Sequence, residues 1–315
     1  MAALNSHAQQ DKHFSMFSES PVFLNPATAG FSDQQLQLFT NFRSQWLTVT
    51  DDPYRTISAS VDWRMLDPEA TKAASFMGAG VNFYNDKSGI SQYTTNIITF
   101  PINYALQVGV ADHLSFGLQP AFYQRTINGD HLTWDSQWTG VEFDQGLSNN
   151  ELLLNQNLNI SRFDIGAGVY WRNDNSYIGL SVPNLLTDEH YDGVQNAIAA
   201  ERLHYFLIAG KVFDLSPRVK FKPAVLGKFV VGAPIIADLS ANFMFDDTLR
   251  LGLAYRWDDS VSGLIGLQLG PKLMIGYAYD ATTTRLRNFN SGTHEIMLRF
   301  ELRSREKQLK SPRFF

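Results

Sequence analysis

The residues with the best claim to chemistry are His113 and Ser115, separated by Leu114. In a strand, positions i and i+2 point to one side, so an imidazole and a hydroxyl would share a face, as a general base beside a nucleophile requires. No third polar group nearby in sequence would orient the imidazole, and the pair falls at a turn, so both read as ordinary polar residues. A second candidate group is acidic: Asp130, Asp135, Glu142 and Asp144, interleaved with Trp134, Trp138 and Phe143. Carboxylates suit calcium, but this spacing matches no EF-hand loop. The chain has seven histidines without an i,i+2 or i,i+4 pair, and no cysteine. Transition-metal and thiolate chemistry therefore find no ligand set. The sequence predicts no catalytic residue, no cofactor and no metal. What remains is aromatic: Trp134, Trp138 and Phe143 on a loop are costly unless they cover or bind something.

The elements that would position these residues are strands. Leu249, Leu251, Leu253, Tyr255 and Trp257 alternate with Arg250, Gly252, Ala254 and Arg256. The same period of two sets Val219, Phe221 and Val225 against Arg218, Lys220 and Lys222. It also sets Ile296, Leu298, Phe300 and Leu302 against Glu295, Arg299, Glu301 and Arg303. A strand segregates such residues onto two faces, whereas a helix would spread them around its circumference. The pattern predicts fourteen strands, near 35–46, 54–65, 76–86, 93–108, 112–124, 161–172, 176–183, 202–214, 217–227, 235–246, 248–257, 260–269, 272–281 and 292–302.

No run of apolar residues is long enough for a spanning helix, yet aromatics reach 13% of the chain and charged residues only 18%. An even number of strands about ten residues long, with Trp46, Trp63, Trp171 and Trp257 near strand ends, describes an all-β chain: one antiparallel outer-membrane β-barrel with aromatic girdles. A soluble β-sandwich also alternates faces, but has less use for charge rows paired with terminal Trp and Tyr. A net charge of −5 argues against a nucleic-acid partner. Inward charges such as Arg250, Arg256, Lys220, Lys222, Glu295 and Glu301 would hydrogen-bond across the lumen or line a pore.

Connections alternate in length. Tight turns are signalled at 111–113, 173–176, 215–217, 246–247 and 270–271, and longer connections at 125–160, 184–201, 228–234 and 282–291, with 66–75 the exception. Outer-membrane barrels keep short turns in the periplasm, which would place the chain start there. Residues 1–8 read as a signal-peptide remnant ending in Ser6-His7-Ala8, residues 9–34 as a periplasmic N-terminal segment, 35–303 as the barrel and 304–315 as a basic C-terminal tail.

Within that segment Pro21 and Pro26 restrict the backbone and Gly30 can take positive φ, so residues 21–30 form a fixed apolar turn. Phe14 to Phe17 followed by Phe23-Leu24-Asn25-Pro26-Ala27-Thr28-Ala29-Gly30 resembles the start of the PorP/SprF family of the Bacteroidota type IX secretion and gliding machinery. Arg43-Ser44-Gln45-Trp46, Asn85 to Gly89, Leu114 to Leu118, Phe163 to Tyr170, Tyr177 to Pro183 and Ser311 to Phe315 follow in family order; Phe314 stands where the family usually has Tyr. The resemblance implies a non-enzymatic outer-membrane component of type IX secretion. Its partners would be machinery proteins of the periplasmic ring or lipoproteins, and a secreted surface adhesin or its C-terminal domain, within outer-membrane lipid. Phe23, Leu24, Asn25 and Pro26 would plug the barrel wall or dock a partner, and Trp134, Trp138 and Phe143 would cover the lumen or contact cargo. The competing reading is a porin or ligand-specific channel.

Overall fold

The computed structural model of the chain describes residues 14–32, 35–46, 53–65, 75–88, 93–127, 137–142, 144, 158–186, 202–230 and 233–302. They form a closed antiparallel barrel of fourteen strands. The first half comprises β1 (Leu36–Gln45), β2 (Tyr54–Met65), β3 (Phe76–Ser88), β4 (Tyr93–Thr99 continuing as Ile102–Gln107), β5 (His113–Ile127), β6 (Leu158–Arg172) and β7 (Ser176–Val182). The second comprises β8 (His204–Lys211 continuing as Phe213–Ser216), β9 (Val219–Val230), β10 (Ile236–Phe245), β11 (Leu249–Arg256), β12 (Ser260–Leu269), β13 (Leu273–Thr282) and β14 (Thr293–Leu302). Each strand pairs with its sequence neighbours, and β14 returns to β1, where Arg43 lies opposite Glu295. Closure removes the free edges that an open sheet would leave in hydrocarbon.

All fourteen expected strands are present, and two are interrupted. In β4 the ladder breaks at Phe100 and Pro101, because proline has no N–H to donate; the Pro101 carbonyl instead accepts from Gly80 and the Phe100 N–H reaches Pro120. In β8 the break is at Val212, whose N–H turns to the Asn175 carbonyl.

Burial follows the period of two with the polarity of a membrane barrel. On β14 Ile296, Leu298, Phe300 and Leu302 are exposed outward while Glu295, Met297 and Arg299 are buried inward. On β11 Leu251, Leu253 and Tyr255 face out and Arg250, Ala254 and Arg256 face in. An apolar outer band around a polar interior is stable only with lipid outside. Among the described residues no helix is long and apolar enough to cross a membrane, so crossing is by strands. Trp46 and Trp257 follow the ends of β1 and β11 at one rim, and Trp63 and Trp171 lie near the opposite rim.

One rim carries the connections 66–75, 108–112, 173–175, 217–218, 246–248 and 270–272. The other carries 46–53, 128–157, 183–203, 231–235 and 283–292, but also 89–92 and 257–259, so the alternation of short and long is looser than the sequence suggested. At the short-turn rim Arg218 meets Asp246 at 2.6 Å and Lys220 meets Asp247 at 2.9 Å. Lys220 therefore belongs to this rim and not to a lumen-crossing network.

Candidate functional site

The lumen is filled by the chain's own N-terminal segment. Three short 3-10 turns, Phe17–Glu19, Pro21–Phe23 and Pro26–Thr28, fold residues 14–31 into a compact plug. Prolines open the second and third turns, where a missing N–H costs nothing and the fixed φ is that of a helix.

Asn25 links this local fold to the wall. Its Oδ1 accepts the Ala27 N–H at 2.9 Å, capping the third turn, while its Nδ2 donates to the Val169 and Leu180 carbonyls at 3.0 and 3.4 Å. Such close approach requires wall positions without side chains. A Cβ at Gly117 would fall 2.6 Å from the Ala27 Cα, and one at Gly168 would fall onto the Asn25 amide oxygen. Gly30 takes φ +69° and donates its N–H to Asp62 at 3.0 Å. The run from Leu24 to Gly30 thus fits as a shape against a glycine-paved wall. Wall side chains complete the docking: Ser181 donates to the Leu24 carbonyl, Asn103 to that of Ala27 at 2.7 Å, and Arg172 to that of Phe31 at 2.6 Å. Ser181→Ala is expected to destabilise the barrel by about 1–3 kcal/mol, the cost of a buried carbonyl left without its donor. A lowered thermal midpoint in heat-modified electrophoresis would register it.

The earlier part of the segment is held by charge. Ser15 and Met16 donate their N–H groups to the two Glu295 oxygens at 2.9 and 3.2 Å, and the Ser15 hydroxyl donates to Asp280 at 2.7 Å. Arg43 sits between these acids, 2.8 Å from Asp280 and 2.9 Å from Glu295. Four residues on, Glu19 receives Arg250 at 2.6 Å and Arg299 at 2.9 Å, and the Lys222 ammonium lies 3.4 Å from the Ser18 carbonyl. The rest is apolar: Phe14 and Phe39 pack on Phe23, and Phe31 packs on Phe76 and Tyr170.

Phe23, Leu24, Asn25 and Pro26 are therefore together and buried inside the barrel. A partner could meet them only after the segment left the lumen. Trp138 is half exposed, and Trp134 and Phe143 lie outside the described residues, as do Asp130, Asp135, residues 1–8 and 304–315. Glu142 and Asp144 are exposed on a turn in which Thr139 N–H donates to the Glu142 carbonyl. Ser115 is fully buried and receives Asn103 at 3.1 Å, while His113 packs edge-on to Phe31, so the pair is structural. Of the expected inward charges, Arg250, Arg256, Lys222, Glu295 and Glu301 all have partners, and four of these partners, Ser15, Met16, Ser18 and Glu19, come from the plug. Sequence reading missed Glu19 and Asp280, met Arg43 only as part of the family motif, and placed Arg299 on the polar face without a partner; the one available signal for the plug contact was the acid inside an otherwise apolar segment.

Fold and site together define an outer-membrane β-barrel whose lumen is closed by an internal plug. Solved structures share the fold. The toluene transporter TbuX of Ralstonia pickettii has a TM-score of 0.52 at 10% identity, with 90% of this chain and 93% of that one covered. The monoaromatic hydrocarbon channel CymD gives 0.51 at 13%, covering 91% and 94%. A FadL homologue of Pseudomonas aeruginosa gives 0.50 at 10%, covering 90% and 94%. No curated protein matches. Residues 6–300 match the family described as Type IX secretion system membrane protein PorP/SprF, and the chain belongs to that family.

Proposed function

We propose that the protein is a non-enzymatic accessory of type IX secretion that works by binding. On this reading the short-turn rim faces the periplasm and meets ring or lipoprotein components. The long connections, with Trp134, Trp138 and Phe143, face outward and engage a secreted surface adhesin or its C-terminal domain. Membership of the secretion family is the observation that carries the reading. The filled lumen favours it over an open porin, whose interior would be a water-filled channel. Such binding would support the export or the anchoring of that adhesin.

The test is a gentle-detergent pull-down of the tagged protein from its native outer membrane, with mass spectrometry of the co-purified proteins. The expected result is enrichment of secretion-machinery components or one large surface protein over an unrelated tagged barrel. Recovery of the barrel alone from intact membranes would contradict it.

A further inference from the structure

We infer that the plug is the template on which the barrel closes. Residues 24–31 are held by the first half of the sheet, and residues 15–19 gather the last strands and bring β14 to β1. The inference rests on the plug geometry and is independent of the role in secretion.

The closing ladder is the most demanding of the fourteen. Among the described residues every other ladder joins strands next to one another in the chain, whereas β1 and β14 pair residues more than two hundred positions apart, from Leu36 with Leu302 to Gln45 with Thr293. The chain entropy lost on closing a loop grows with its length, and long-range β pairing is correspondingly slow. A surface that binds both sides of the seam shortens the search.

The plug is such a surface, because its contacts are divided between the two halves of the chain. The hydrogen bonds of Leu24 to Phe31 fall on Asp62 of β2, Asn103 of β4, Val169 and Arg172 of β6, and Leu180 and Ser181 of β7, and Ala27 lies against Gly117 of β5. Those of Ser15 to Glu19 fall on Lys222 of β9, Arg250 of β11, Asp280 of β13, and Glu295 and Arg299 of β14. Ser15 sits over the seam itself. Arg43 and Glu295 face each other across it, and Ser15 accepts from Arg43 at 2.8 Å while its N–H donates to Glu295 at 2.9 Å. With the Met16 N–H on Glu295 and the Ser15 hydroxyl on Asp280, three plug donors meet acids of the last hairpin. The segment precedes β1 in the chain, so a hairpin docked on residues 15–19 is delivered to the free edge of β1.

The test refolds the full chain from urea into detergent micelles, with pulses of a short bismaleimide at intervals and mass spectrometry of the cross-linked peptides. Because the protein contains no cysteine, introduced pairs report single ladders. Phe42→Cys with Ile296→Cys, directly opposite and outward, reports the seam, and Leu251→Cys with Ile265→Cys reports β11 against β12. Ser15→Pro with Met16→Pro removes the three donors and leaves the wall unchanged. It should slow the seam link at least about tenfold, the factor that loss of one hydrogen bond to a charged group implies when that bond forms in the transition state, with the β11–β12 link at its parental rate. Gly117→Val, on β5 and away from the seam, should also slow the seam link alone, because it frees residues 25–30 from the first half. A seam that links at the parental rate in either variant would overturn the template. Equal slowing of both links would overturn it too, since that marks a general loss of stability. Should the proline variant not fold, Ser15→Ala decides: with one donor lost, it must slow the seam link by a smaller factor and leave the β11–β12 link unchanged.

Discussion

A Gly117→Val barrel will lose its docked plug. An added Cβ meets the Ala27 Cα at 2.6 Å and the Pro26 carbonyl carbon at the same distance, and both are backbone atoms that cannot rotate away. Overpacking alone costs about 1–3 kcal/mol. Retreat of the segment also breaks the Asn103 bond to Ala27 and the two Asn25 bonds to the wall, each contributing about 0.5–1.5 kcal/mol. The combined loss should undock residues 25–30 and appear as proteolysis within the segment of a barrel that still migrates as folded. Gly263→Val is the matched control: that position is exposed, with nothing within 4 Å of the new Cβ, and it should behave as the parent does.

Arg43→Met should be the most damaging single change among the lumen charges. Arg43 is 3% exposed and separates Asp280 from Glu295 while donating to the Ser15 hydroxyl at 2.8 Å. Removing one member of a buried ionic cluster typically costs about 3–5 kcal/mol, because the remaining charges keep their desolvation penalty without compensation. The expected outcome is a large fall in the urea or thermal midpoint together with loss of order at Ser15 and Met16. Adding Asp280→Asn and Glu295→Gln should restore most of the stability, since a neutral trio carries no stranded charge. If the triple variant is no more stable than Arg43→Met, shape and not charge holds this end.

The barrel was legible because its signal is redundant. Fourteen runs each repeat the same alternation, so an error in one leaves the count intact, and Ile296 to Leu302 or Leu249 to Trp257 declare an outer face without help from their neighbours. Pro101 breaks the run 93–108, which the alternation alone reads as one unbroken strand although proline cannot donate to a ladder. The contents of the lumen were less legible for a physical reason. Alternation tells which face is polar but not what that face touches, and lumen-facing Arg250 or Glu295 would look the same beside water as beside Ser15 and Glu19. The proline and glycine spacing of residues 21–30 announced a fixed turn. Its docking partners, Gly117 and Gly168, carry no side chain to advertise the contact and lie far away in sequence. The ion pairs of Glu19 and Arg43 join residues more than two hundred positions apart, such as Glu19 with Arg250, which no local pattern encodes.

The central claim is that residues 14–31 occupy the lumen of the barrel in its membrane. It is tested most directly by a disulfide between Ser15→Cys and Asp280→Cys, whose side-chain oxygens lie 2.7 Å apart. With no other cysteine in the chain, oxidation in isolated outer membranes can form only this intramolecular link, read as a faster-migrating, reducible band after denaturation. The account predicts closure in the double variant and none in either single one, read in the barrels that migrate as folded, because Asp280→Cys also takes an acid away from Arg43. Two thiols that react freely with an impermeant maleimide yet fail to link under oxidant would place the segment outside the barrel and contradict it.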